Sequence, residues 1–179
     1  MLKTIGQGSV SELLRVVVVG VHYIVWFLLG LFAITLVAAL LGAFSPDGKL
    51  FNLPVDIADW RVLGPAFALG IVHMIAAIIV TGQLRGVLDT LVSGDPFVAS
   101  NAPRLRMIGF TVAILELARY AIQLATLSAI AAFGQPDEGA LSAEFRISFT
   151  AWGMVLVLFV LAQVFDEGTR LRDEEKMTI

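Results

Sequence analysis

The sequence contains no cysteine, and this absence removes several classes of site at once. Disulfides, thiolate metal centres and cysteine nucleophiles cannot occur in these 179 residues. Histidine is scarce as well, with two in the chain, and no HExxH, GxSxG or glycine-rich phosphate-loop motif is present. We therefore expect a protein that is not an enzyme, with no catalytic residue, no metal site and no cofactor.

Charged residues are also few. Charged residues make up 15% of the chain against 58% hydrophobic residues, and the mean hydropathy is +0.89. Soluble domains are only about half apolar, so the composition indicates an integral membrane protein in contact with the lipid bilayer. The few basic residues are mixed with acids, which argues against direct nucleic-acid binding. No polar segment is long enough to bury its own core, so we expect a single membrane domain over residues 1–179.

Four long apolar stretches follow one another along the chain. They predict an all-α, integral membrane four-helix bundle with short loops and with spans at about residues 16–44, 63–84, 107–133 and 145–165. The first stretch has a competing interpretation as a cleaved signal peptide. That interpretation is weaker, because the apolar region of a signal peptide runs for only about 7 to 15 residues.

The segment after the second span is amphipathic, with apolar residues at positions 84, 87, 88, 91 and 92. This helical spacing predicts that the helix either continues into water or lies in the membrane interface. Gly94 is a natural stop, and Asp95 with Pro96 predicts a short new turn. In the tail, residues 166–179, opposite charges four positions apart predict that the fourth helix continues beyond the membrane.

Basic residues are distributed unevenly over the two sides that four spans define. One side has eight and the other three: Lys3, Arg15, Arg85, Arg104, Arg106, Arg170, Arg172 and Lys176, against Lys49, Arg61 and Arg146. Cytoplasmic loops carry the excess of Lys and Arg. We therefore expect a multi-pass protein of the cell (inner) membrane, with both termini, the hairpin 85–106 and the tail in the cytoplasm.

The third span is the one long apolar stretch that contains charged residues. Glu116, Arg119, Tyr120 and Gln123 share one face of the helix, and His73 of the second span lies at a similar depth. Intramembrane ionisable groups often mark proton or ion paths. The alternative, which we favour, is a structural ion pair that holds the helices in register.

Two polar stretches resemble a known family. Residues 94–109 (GDPFVASNAPRLRMIG) and 164–179 (VFDEGTRLRDEEKMTI) are similar to a bacterial family of four-span membrane proteins, catalogued as a domain of unknown function, number twenty-nine seventy-five. The resemblance implies four spans over nearly the whole chain and no established activity. Its members are often encoded beside small helix-turn-helix transcription regulators, which implies a cytosolic regulator as a partner.

Both stretches lie on the cytoplasmic side of the predicted topology, and two roles are open. Either they only build a turn, with the arginines at lipid headgroups, or they form a docking face for a soluble protein. The residues concerned are Gly94, Pro96, Phe97, Asn101, Arg104, Arg106, Gly168, Leu171, Arg172 and Glu174.

These patterns leave two classes of function. We predict a non-enzymatic membrane partner or sensor for a cytosolic regulator. The alternative is a small transporter or channel subunit that uses the intramembrane Glu, Arg and His. Four spans enclose little lumen, so a pore would require a homo-oligomer.

Overall fold

A computed structural model describes residues 10–43, 60–133 and 147–177 of the chain. These residues form four helices and no strand: α1 Val10–Ala43, α2 Trp60–Val92, α3 Asn101–Phe133 and α4 Phe149–Met177. Each helix is long and apolar enough to cross a membrane. The expected all-α class with four spans is therefore confirmed. α2 begins at Trp60, within the stretch 45–62 that was expected to form a loop. Residues 44–59 and 134–146 lie outside the described residues.

The hairpin between α2 and α3 begins where a glycine ends α2. α2 continues without a break to Val92, so the amphipathic segment extends the second span. Gly94 follows in a left-handed conformation, with φ +82°. The amide of Asp95 donates to the carbonyl of Thr90 at 3.0 Å, and that of Gly94 to Leu91 at 3.2 Å. This pair of bonds is a Schellman motif, in which a glycine ends the helix.

Two predictions near the helix ends have different outcomes. Asp95 and Pro96 do not open a new helical turn; residues 95–98 are irregular and α3 begins at Asn101. Pro103 lies in the first turn of α3, where a missing amide hydrogen costs nothing. The continuation of α4 is confirmed, because the helix runs through the charged tail to Met177.

The helices pack in chain order. α2 contacts α1 and α3, and α3 contacts α4; within the described residues α1 packs against α2 alone. Arg15 pairs with Asp89, and Arg106 pairs with Asp166. These contacts bring the start of α1, the α2–α3 hairpin and the end of α4 to one end of the molecule, which we call the hairpin end.

Buried apolar contacts concentrate near the hairpin end. Val87, Leu105 and Ala162, one from each of α2, α3 and α4, form a core against which Leu91, Leu158 and Phe165 pack. By contrast, α1 exposes large apolar side chains, among them Phe27 at 71%. Such a surface is stable in lipid and not in water. The molecule is therefore a multi-pass membrane protein whose packed core lies between its last three helices.

The absence of cysteine allows the orientation to be tested by labelling. We expect single cysteines at Lys49 and Asp137 to react with an impermeant thiol reagent in intact cells. Cysteines at Ser93 and Glu175 should react only after the membrane is permeabilised, because the basic residues favour the cytoplasm for that side. Labelling in the opposite sense would contradict the predicted orientation.

Candidate functional site

The side chain of Asn101 connects the parts of the hairpin through hydrogen bonds. Its side chain is fully buried. The amide nitrogen donates to the hydroxyl of Thr90 at 2.6 Å and to the carbonyl of Pro96 at 2.8 Å. Because these partners lie at the end of α2 and in the loop, one side chain fixes both to the start of α3. Such a buried polar group is costly to remove, since each of its partners would lose a hydrogen bond.

Arg104 crosses from α3 to α2. Its Nη1 donates to the carbonyl of Gly86 at 2.8 Å and to Oδ1 of Asn101 at 3.1 Å. The guanidinium lies so close to Gly86 that a Cβ there would be 2.7 Å from Nε of Arg104. Arg104 therefore joins α3 to α2 in the hairpin. We had expected its side chain to extend to lipid headgroups instead. Arg106 is 43% exposed, and its Nη2 donates to Oδ2 of Asp166 on α4 at 2.7 Å.

Arg172 of α4 binds the hairpin loop directly. Its two terminal nitrogens donate to the two carboxylate oxygens of Asp95, the Nη2–Oδ2 distance being 2.7 Å. Nη1 also donates to the carbonyl of Phe97 at 2.8 Å. A two-pronged arginine–carboxylate pair fixes orientation as well as distance. The Schellman motif at Gly94 determines where Asp95 stands, so the end of α2 positions this contact.

Phe97 packs beside that ion pair. Its ring lies against Gly168, where a Cβ would stand 2.6 Å from the nearest ring carbons, and its centroid is 5.6 Å from that of Phe165. Only a residue without a side chain allows this approach. We call the four residues Asp95, Phe97, Gly168 and Arg172 the hairpin latch. They join the two stretches that carry the family resemblance into one unit.

Seven of the ten residues in the predicted docking set lie outside the latch, and two of these seven are exposed on α4. Leu171 is 55% exposed, and Glu174 is exposed beside Arg170, with 3.4 Å between the charged atoms. Asp95 was interpreted as the start of a short new turn, and its role as the acceptor for Arg172 was missed. Each stretch carries charges that the other can neutralise, but no local pattern indicated that Asp95 and Arg172 meet, since 77 residues separate them.

The intramembrane cluster is centred on an ion pair within α3. Oε2 of Glu116 accepts from Nη2 of Arg119 at 2.7 Å and from Nε at 3.1 Å. The Glu116 and Arg119 side chains are only 13% and 20% exposed. Two opposite charges one turn apart cancel inside the span, which lowers the cost of burying either. The structural role that we favour for the pair stays a prediction.

Tyr120 connects this pair to α4. The guanidinium of Arg119 lies 4.8 Å from the centre of the Tyr120 ring. The Tyr120 hydroxyl accepts from Nε1 of Trp152 at 3.2 Å and from the amide of Ser148 at 3.3 Å. The amide of Ser148, the residue just before α4, has no partner within that helix, so Tyr120 supplies one. Neither Trp152 nor Ser148 was predicted, because sequence periodicity does not reveal which helices are neighbours.

The remaining two members of the cluster are less tightly held. Oε1 of Gln123 is buried and has no hydrogen-bond partner among the described residues. Nδ1 of His73 is bonded to the carbonyl of Leu69 in its own helix at 2.8 Å, and the residue is exposed. Within the described part of the chain, no bond joins His73 to Glu116 or Arg119. The contacts thus unite Glu116, Arg119 and Tyr120 but not His73.

For the ion pair, we expect each single substitution, Glu116→Ala or Arg119→Ala, to lower the free energy of unfolding by about 3 kcal/mol. The double substitution should cost less than the sum, because no charge is left stranded. Unfolding of the lipid- or detergent-solubilised protein measures this, with the lipid-facing Leu117→Ala as the control. Additive losses would show that the pair is not coupled.

For the hairpin latch, Arg172→Ala should lower the free energy of unfolding by about 1 to 2 kcal/mol, as expected for a charge-assisted hydrogen-bonded group. Gly168→Ala should also destabilise, because the added methyl group displaces the Phe97 ring. Leu171→Ala is the matched control, adjacent and exposed, with an expected change within about 0.5 kcal/mol. Equal losses at all three positions would contradict the latch.

Comparison with known proteins places the chain in a family. Neither a curated protein nor a solved structure gives a match. A family model described as "Protein of unknown function (DUF2975)" matches residues 20–179, which include all of α2, α3 and α4 and both motif stretches. The resemblance seen in those stretches is confirmed, and the chain belongs to the DUF2975 family of unknown function.

Proposed function

We propose that this protein is a non-enzymatic protein of the bacterial inner membrane whose hairpin end docks a cytosolic regulator. The observation that carries the proposal is the hairpin latch. Arg172 binds Asp95 and the Phe97 carbonyl, so the helical tail is held against the hairpin. Loose tails lose conformational entropy on binding, whereas a surface ordered beforehand avoids that loss.

The chemistry of this surface favours a basic partner. A shallow depression of about 520 Å³ runs beside the end of α4, and its lining includes three carboxylates and one guanidinium: Gln163, Asp166, Glu167, Thr169, Arg170 and Asp173. Asp173, Glu174 and Glu175 continue the acidic character along the helix, where all three are exposed. Lysine and arginine side chains of a soluble protein complement such a surface.

A helix-turn-helix regulator meets this requirement. Proteins that bind DNA carry a basic face for the phosphate backbone. A regulator held by that face against the carboxylates of α4 would not be free to bind DNA. The genes that neighbour members of this family suggest this kind of partner, by association and not by mechanism.

The transporter alternative ranks second. It relies on the charges within the span, and Glu116 and Arg119 neutralise each other there. His73, the third member of the suggested path, is bonded to its own helix. No further contact among the described residues favours a pathway for ions or protons over a structural cluster.

The test is affinity capture from the native host with the full chain solubilised in mild detergent. Glu167→Lys with Asp173→Lys should reduce recovery of the soluble partner several-fold, and recovery from the unmodified protein should fall as salt rises. A chain that ends at Arg172 keeps the latch and loses the acidic end of α4, so it should also recover less partner.

Two controls make the capture decisive. Val157→Ala changes an exposed apolar residue of α4 without changing charge, and it should leave recovery unchanged. The exchanged pair Asp95→Arg with Arg172→Asp keeps opposite charges at the latch and should retain more partner than either single change. If substitution of the acidic residues leaves the recovery of the partner unchanged, the docking proposal is refuted.

A further inference from the structure

α1 and α2 each carry an arginine where their uncharged segment ends near the hairpin end. After Arg15, α1 has no Asp, Glu, Lys or Arg as far as Ala43. Arg85 has the matching place in α2, because no such residue lies between Val62 and Leu84. Membrane helices meet the lipid headgroups where such uncharged segments end. Both guanidiniums are therefore at the level of the headgroups of one leaflet.

Arg85 belongs to the face of α2 that contacts α1. Four residues before it, the Thr81 hydroxyl is 2.7 Å from Nδ1 of His22 on α1. Four residues after it, Oδ1 of Asp89 is 2.5 Å from Nε of Arg15 on α1. Residues four apart share one face of a helix. Arg85 therefore stands between these two contacts, one turn from the carboxylate that pairs with Arg15.

Both arginines have donors that no described residue accepts. Arg85 is half-buried, yet no hydrogen bond or ion pair joins it to any part of the chain that the structure describes. Arg15 donates through Nε, and its two terminal nitrogens have no acceptor among those residues. These nitrogens are also accessible, because the described side-chain atom that is both buried and without a partner is Oε1 of Gln123. They can therefore reach a group outside the protein.

The charge at this place is positive. Arg104 adds a third guanidinium beside Gly86, and its hydrogen bonds go to a carbonyl and an amide oxygen, not to a carboxylate. The acids nearby are Asp89 and, three residues before Arg15, Glu12. Three cations thus stand against two anions. A half-buried charge without a counter-ion is unfavourable at a membrane boundary, and an anion from outside the protein would remove that cost.

We propose that Arg15 and Arg85 form a binding site for the phosphate of an anionic phospholipid. A guanidinium can donate two parallel N–H bonds to phosphate oxygens, and basic pockets between membrane helices bind such headgroups. The surplus positive charge favours an anionic lipid over a zwitterionic one, whose ammonium group cancels its phosphate charge.

The surface below the two arginines is open to an acyl chain. Gly82 lies one turn nearer the middle of the span than Arg85 and is exposed. A Cβ at Gly82 would have Cε1 of His22 as its nearest neighbour, at 3.9 Å. A lipid bound at the arginines can therefore extend into the bilayer along α2. Arg85 thus has the headgroup role that was expected for Arg104.

The test is native mass spectrometry of the full chain in an uncharged detergent, titrated with phosphatidylglycerol or phosphatidylcholine. The unmodified protein should bind phosphatidylglycerol more tightly. Arg85→Gln should lower this preference about fivefold, the factor expected for one basic residue at an anionic lipid surface. Because Arg85 has no partner among the described residues, its loss should leave thermal unfolding in lipid-free detergent unchanged.

Arg106→Gln is the matched control. It removes the same charge from the hairpin end, but Arg106 pairs with Asp166 on α4, so the lipid preference should stay nearly unchanged. Arg15→Gln should lower the preference at least as much as Arg85→Gln does, because it also leaves the carboxylate of Asp89 to repel the phosphate.

Two results would overturn the proposal. The first is a preference for phosphatidylglycerol that survives Arg85→Gln or that Arg106→Gln lowers equally. The second comes from inorganic phosphate, which distinguishes a lipid site from a site for a soluble anion. An excess of inorganic phosphate should neither displace phosphatidylglycerol nor raise the unfolding temperature. Stabilisation by inorganic phosphate that is lost in Arg85→Gln would assign the site to a free anion.

Discussion

Every polar group that lies within an apolar helix of this protein must find its partner in the protein, because lipid offers none. The contacts follow from that constraint. Thr81, Thr111, Thr126 and Thr169 each donate to the carbonyl four residues earlier in their own helix. Glu116 and Arg119 satisfy each other, and Tyr120 satisfies Trp152 and Ser148. Gln123 is the exception, with a buried oxygen that lacks a partner within the described residues.

The hairpin end of the last three helices differs in character from their spans. In the spans, one-turn pairs and single cross-helix bonds are sufficient. At the hairpin end, Asn101, Arg104 and Arg172 each bind more than one partner and together connect α2, α3 and α4. Gly168 and Gly86 are part of this arrangement. The lack of a side chain at Gly168 leaves space for the Phe97 ring, and at Gly86 it leaves space for the Arg104 guanidinium. The two stretches that carry the family resemblance thus supply most of the residues that fasten these helices.

The number and type of the helices could be predicted from the sequence, because apolar length and composition are local properties. The extension of α4 was also predictable, from charges four residues apart. The pairing of Arg172 with Asp95 was not, since 77 residues separate them and no local pattern encodes which helix ends meet. The direction of Arg104 was missed for a similar reason. An arginine at a membrane end usually meets headgroups, and here the closeness of Gly86 offers a carbonyl instead.

The central claim is that the end of α4 and the α2–α3 hairpin behave as one ordered unit outside the spans. Hydrogen–deuterium exchange of the full chain in lipid nanodiscs tests it most directly, because amide protection reports local opening. We expect residues 166–172 to exchange slowly and at a rate close to that of residues 95–101, with faster exchange beginning beyond Arg172. Free exchange throughout residues 166–177 beside a protected hairpin would contradict the claim.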